Sequence, residues 1–160
     1  MSYPDPVYLG EGGEPSGRFR PAGAEPELTM RTGTASYLTT GASTGGKLGL
    51  YRWDMHGPRS GPDPHFHRSI AEAFYVLKGT VRLYDGKQWR DGGPGDFLYV
   101  PEGGVHAFRN ESGEFASMLL MFVPGAPREP YFENVGSIAQ RSEEEQARFF
   151  LEHDTFWLSP

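Results

Sequence analysis

His65 and His67 stand two residues apart, and in an extended chain that spacing puts both imidazoles on one face, because side chains alternate with period two. Glu72 follows at an odd spacing, so an unbroken strand would turn its carboxylate to the other side. Arg68-Ser69-Ile70-Ala71 must therefore contain a bend or bulge that returns Glu72 to the histidine face. A fourth candidate ligand, His106, lies within Gly95–Asn110. Imidazole nitrogens with one carboxylate oxygen suit a divalent first-row metal and leave coordination positions for water or substrate.

The elements that must position these side chains are short and turn-bounded. His56–Pro64 is a proline-rich lead into the histidine strand, stiff because each proline removes freedom from the unfolded chain. Glu72–Leu77 reads as a strand ending at Lys78-Gly79. Asp85-Gly86 joins Thr80–Tyr84 to Lys87–Arg90 as a hairpin. Phe97–Val100 is a further strand, and His106, Phe108 and Asn110 share one face after it. Leu28–Arg31 and Ala35–Thr40 read as strands from β-branched and aromatic content. Leu48–Met55 alternates, though alternation alone does not say which face is inward. Phe115–Phe122 is apolar on both faces, which predicts burial on both. Ser142 with Glu145 forms a capping box that opens an amphipathic helix over about 142–153. His56 and His153 have no register with the ligand strand and are expected to stay out of the site.

The pattern H-x-H-x4-E-x6-G is met by His65, His67, Glu72 and Gly79, and G-x5-P-x-G-x2-H-x3-N by Gly95, Pro101, Gly103, His106 and Asn110. Together they resemble the two signature motifs of the cupin superfamily, separated by a short fifteen-residue stretch. Arg59 stands where the family usually places a glycine ahead of the first histidine. The resemblance covers roughly Leu48 to Phe122. It implies an all-β fold, a cupin jelly-roll β-barrel with an N-terminal arm and a C-terminal helix. Residues 1–26 would be an arm, flexible or laid over the barrel or a second subunit through Val7, Tyr8, Leu9 and Phe19. Residues 27–124 would be the barrel and 125–160 a C-terminal extension. The resemblance also implies a metal held by His65, His67, Glu72 and His106, and a homodimer paired through exchanged N-terminal strands.

Bulk composition narrows the function classes. The 160 residues suffice for one domain, and 22 Gly with 14 Pro favour many turns over long helices. A net charge of −6 without a basic cluster disfavours nucleic acid. The absence of cysteine excludes thiolate ligands and disulfides. No signal-like segment or membrane-length apolar run is visible, so a soluble cytoplasmic protein is expected.

For the chemistry, three His and one Glu suit Fe(II), Mn(II), Co(II), Ni(II), Cu(II) or Zn(II). Apolar pocket walls are expected from Phe74, Tyr75, Tyr99, Phe108, Met118, Leu120 and Phe122. No Arg or Lys takes a ligand-facing place in either motif, which favours a neutral aromatic or enolic substrate over a phosphosugar. Pro124-Gly125-Ala126-Pro127 followed by Tyr131-Phe132-Glu133 is similar to the segment after the barrel in flavonol dioxygenase-like cupins. That similarity implies a metal-dependent dioxygenase acting on a small aromatic or enolic compound, with Glu72 both ligand and general base. The other readings are a non-oxidative metal-dependent isomerase, lyase, decarboxylase or cyclase, and a non-catalytic small-molecule-binding cupin.

Overall fold

The computed structural model describes residues 2–158. Met1 of the predicted arm, and Ser159 and Pro160 of the predicted extension, lie outside the described residues. Eleven strands and two helices are formed among them: β1 Leu28–Met30, β2 Gly33–Thr39, β3 Gly49–His56, β4 His65–Phe66, β5 Ala71–Lys78, β6 Val81–Tyr84, β7 Trp89–Gly92, β8 Phe97–Val100, β9 Ala107–Arg109, β10 Phe115–Val123, α1 Glu129–Ile138, α2 Glu143–Glu152 and β11 Phe156–Trp157.

One antiparallel sheet runs β1-β2-β3-β10-β5-β8. A second runs β7-β6-β9, and the β4–β11 pair joins it through a bridge in which His65 and His106 exchange backbone hydrogen bonds. The sheets close on each other as a jelly roll. The core lies between them: Tyr51, Met55, Phe74, Val76, Met118, Leu120 and Phe122 from the large sheet meet Val81, Leu83 and Phe108 from the small one. Each such fully buried side chain contributes about 1.5–3 kcal/mol by leaving water. The undecided face of β3 is thereby settled, with Tyr51 and Met55 inward. Gly79 ends β5 at φ 71°, and a Cβ there would meet the Phe115 carbonyl oxygen at 2.3 Å, so both conformation and space require glycine.

Two expectations, for β10 and for the C-terminal extension, differ from the structure, and one alternative for the arm is set aside. β10 is buried all along one face, through Ala116, Met118, Leu120 and Phe122; on the other, Ser117 is buried but Met121 and Val123 are exposed. Face-to-face packing covers one side of each sheet, and among the described residues no further layer lies over Met121 and Val123 on the other. The arm does not lie on its own barrel, since residues 2–19 are exposed throughout, Val7, Tyr8, Leu9 and Phe19 included. The C-terminal extension holds two helices rather than one. α1 is the additional helix, with Pro130 in its first turn and Tyr131, Val135 and Ile138 recurring at helical spacing. α2 keeps its predicted capping box, with Ser142 and Glu145 satisfying each other's backbone amides.

Candidate metal centre

β4 presents His65, His67 follows directly after it, and the chain then bends. Arg68 and Ser69 form the bend predicted from the odd spacing, and β5 then returns Glu72 to the same side. His106 arrives from the approach to β9, held against His65 by the backbone bridge. All four side chains are buried, and one ligand atom from each lies within 4.8 Å of the others. The sequence motifs are thus brought together as one cluster. Asn110, the last residue of the second motif, is buried too but faces away from the cluster chemically. It clamps the following turn, donating to the Glu114 carbonyl and accepting from the amide of Ser112.

The imidazole orientations follow from backbone carbonyls. Nδ1 of His65 lies 2.9 Å from the Asp63 oxygen, Nδ1 of His67 2.5 Å from that of Asp154, and Nδ1 of His106 2.9 Å from that of Gly104. A carbonyl can only accept, so each Nδ1 carries a proton and donates it. Each neutral ring is left with a lone pair on Nε2. His106 Nε2 lies 2.8 Å from Glu72 Oε2, and His67 Nε2 lies 3.3 Å from the same atom without making a hydrogen bond. With all three rings neutral, these lone pairs and the carboxylate repel one another, and the 2.8 Å contact becomes a hydrogen bond to Glu72 when His106 carries a second proton.

Ionisation follows the same logic. Burial opposes a charge on Glu72, but the His106 and His67 rings outweigh it and hold the carboxyl well below the usual range. Burial also pushes against a charged His106, yet the Glu72 carboxylate raises that ring above its ordinary value. His65 is pushed down to about 3, by burial and by its neighbour His106. A proton on His106 therefore relieves part of the repulsion, whereas a divalent cation would satisfy all four groups together. The donor set fits such an ion.

The outer residues come from the C-terminus. α2 ends with Thr155 donating to the Phe150 carbonyl and Asp154 to that of Leu151, the pattern in which a left-handed residue normally closes a helix. That residue is Asp154, at φ 49°. Its carboxylate accepts from the amides of Arg68 and Ser69 and from the Ser69 hydroxyl, while its own carbonyl accepts from His67. One residue thereby fixes both the bend that returns Glu72 and the tautomer of His67. β11 then pairs with β4, placing Trp157 opposite His65.

A cavity of about 250 Å³ opens beside His65 and Glu72. Of the predicted wall residues, Phe108, Leu120 and Phe122 line it. Phe74 and Met118 are core instead, and Tyr75 and Tyr99 face outward and are exposed, because strand parity sends them to the other side of the sheet. Trp53 on β3, Tyr131 and Phe132 on α1, and Trp157 on β11 complete the walls and were not foreseen. Nor was Arg128, a buried wall residue from outside both motifs, which corrects the expectation of a pocket without a cation. His56 is exposed, and the ring of His153 packs on Phe149, so neither joins the cluster.

Comparison with known proteins agrees with this arrangement. Residues 52–123 match the family described as "Cupin domain". Over 72 residues, 45% of the chain, the sequence is 38% identical to quercetin 2,3-dioxygenase of Bacillus subtilis. It is also 38% identical over 61 residues to an uncharacterized protein of Aquifex aeolicus. These matches span 21% and 50% of those two proteins, so the chain covers only a fifth to a half of the curated relatives' length. Among solved structures, the polyketide cyclase RemF of Streptomyces resistomycificus superposes with a TM-score of 0.57 at 20% identity, covering 83% of this chain and 97% of that one. That likeness is one of fold.

Proposed function

We propose that this protein, a cupin barrel, is a metal-dependent enzyme acting on a small aromatic or enolic compound, with oxygenase chemistry as its reaction. The observation that carries the proposal is the convergence of four buried electron-pair donors, His65, His67, Glu72 and His106, beside an aromatic-walled cavity that His65 and Glu72 line. Identity to a quercetin 2,3-dioxygenase over the motif-bearing segment supports the choice of reaction. A bound divalent ion would supply a Lewis acid with positions open to substrate and oxygen.

The chain's own residues do the remainder. Trp53, Phe108, Phe132 and Trp157 form a slot that receives a planar ring and excludes water from it. Glu72 is ionised and reaches the cavity, so it is placed to take the proton of an acidic substrate hydroxyl. The same carboxylate supports a second reading, because proton abstraction by Glu72 with Lewis-acid help would serve an isomerase, lyase or cyclase equally well. Oxygen uptake separates the two. Protein purified without added metal or a histidine tag is analysed for metal, then reconstituted with each candidate ion and given a panel of flavonols and smaller enolic aromatics. Stoichiometric metal with substrate-dependent uptake is expected. Stoichiometric metal with turnover but no uptake moves the assignment to the non-oxidative reading, and no metal under any reconstitution overturns both.

A homodimer belongs to the same proposal. Two apolar sets have no cover among the described residues: Tyr75, Leu77, Phe97, Tyr99 and Met121 on the outer face of the large sheet, and Tyr3, Val7, Leu9 and Phe19 on the arm.

A further inference from the structure

The cavity holds one cation that the metal-ligand reading leaves unused. Arg128 precedes α1, is 4% exposed and lines the pocket with His65 and Glu72. Its Nη1 donates to the His153 carbonyl at 2.6 Å. The flat faces of the guanidinium are covered, its carbon lying 4.2 Å from the Tyr131 ring centroid and 5.3 Å from that of Phe122. What remains is the edge formed by Nε and Nη2. Among the described residues that edge makes no hydrogen bond and meets no carboxylate, and its Nε is fully buried.

A purely structural role accounts for only part of this. The bond to His153 ties the start of α1 to the end of α2, but it uses one of five N–H donors. Burial opposes the charge on Arg128, and the Glu72 and Asp154 carboxylates offset that only from a distance, so a guanidinium with no carboxylate on its free edge is costly to bury. Two other residues that line the cavity, Trp157 and Ser60, each carry a buried polar atom without a partner, Nε1 and Oγ. A donor-lined recess in an otherwise aromatic pocket suits a ligand with oxygen acceptors at one end and a flat apolar body.

We infer that the Nε–Nη2 edge of Arg128 is a fork for the carboxylate of a small planar substrate, an aromatic or enolic monocarboxylate whose body lies between the aromatic walls. Two parallel N–H donors match the two oxygens of a carboxylate, and one guanidinium matches its single charge. No other Arg or Lys lines the cavity among the described residues, which disfavours a phosphate dianion. The inference rests on the proposed function above and narrows its substrate class.

The test uses 2-naphthoate and 2-naphthamide, which share a shape and differ in charge. Each is titrated into the protein as purified, with metal content measured on the same sample, and binding is read by quenching of tryptophan fluorescence. Wild type is expected to favour the naphthoate by roughly tenfold or more, the scale of one charge-assisted pair. Arg128→Gln should abolish that preference and leave naphthamide binding unchanged. Arg128→Lys keeps the charge without the fork, and should retain only part of it. Equal binding of the two probes by wild type overturns the inference, as does an undiminished preference in either variant, so the test stands even if Arg128→Gln fails to fold. Failure here with metal and oxygen uptake intact strikes the carboxylate fork alone. A protein that takes up no metal but still prefers the naphthoate strikes the proposed reaction and leaves the fork standing.

Discussion

Three backbone carbonyls, those of Asp63, Asp154 and Gly104, decide what the three histidines can do, because each fixes a proton on Nδ1 and frees Nε2. Replacing Glu72 by Gln removes the one anionic donor while keeping its volume. Metal content of Glu72→Gln is expected to fall at least about tenfold, with activity lost; unchanged metal and turnover would remove Glu72 from both roles. Asp154→Asn is a subtler change, since asparagine tolerates the left-handed backbone but weakens the clamp on Arg68 and Ser69. It should lower metal affinity by roughly 10–100-fold, measurable by chelator competition. The Asp154 carboxyl also gives a pH signature. Burial opposes its charge, but hydrogen bonds from Ser69 and Arg68 bring it below its ordinary 3.8. A lowered folded value means stability present above the unfolded value and lost as pH falls through the folded one. The melting-temperature gap between wild type and Asp154→Asn should therefore be full near roughly pH 6 and shrink below about pH 4. A gap that widens on acidification would contradict that assignment.

The helices differ in what they do for the barrel. α1 closes the cavity: Glu129 accepts from the Tyr51 hydroxyl, Tyr37 reaches Glu133 at 3.3 Å, and Phe132 packs edge-on against Tyr51 and Trp53. Phe132→Ala should cost about 3–5 kcal/mol of stability in denaturant unfolding and weaken binding of any aromatic ligand. α2 has no fully buried residue; Phe149 and Phe150 pack half-buried against the core, and the chain just past its end supplies Asp154. Ser142→Ala removes the capping hydroxyl and should cost only about 1 kcal/mol, with metal content unchanged. The capping box was legible because a cap is a local pattern. α1 was less so, because its apolar positions are interrupted by Asn134 and Gly136 and gain meaning only against the barrel they cover.

At the scale of the whole molecule, one jelly roll leaves the outside of its large sheet apolar and its N-terminal arm unsupported beyond the Arg20–Glu27 ion pair. Light scattering is expected to report a dimer, and Phe97→Glu with Tyr99→Glu to shift it to monomer by charging that face. A monomeric wild type would sink the dimer. Described helices are too short to cross a membrane, none being long and apolar enough.

The ligand cluster and the bend at Arg68-Ser69 were determined by the sequence itself, because each depends on spacing within a few residues or on two short motifs of fixed geometry; the hairpin was legible as a hairpin, but its loop is Asp85–Gln88 with Tyr84 opposite Trp89, not the two residues Asp85-Gly86. The pocket was decided only in three dimensions. Parity places Phe108 and Phe122 inside and Tyr75 and Tyr99 outside, yet which parity is inward depends on the opposing sheet. Arg128, Asp154 and Trp157 reach the site because the C-terminal chain folds back and pairs with the histidine strand. Residues so distant along the chain share no periodicity with the motifs they serve, and only the packing that buries them reveals the connection.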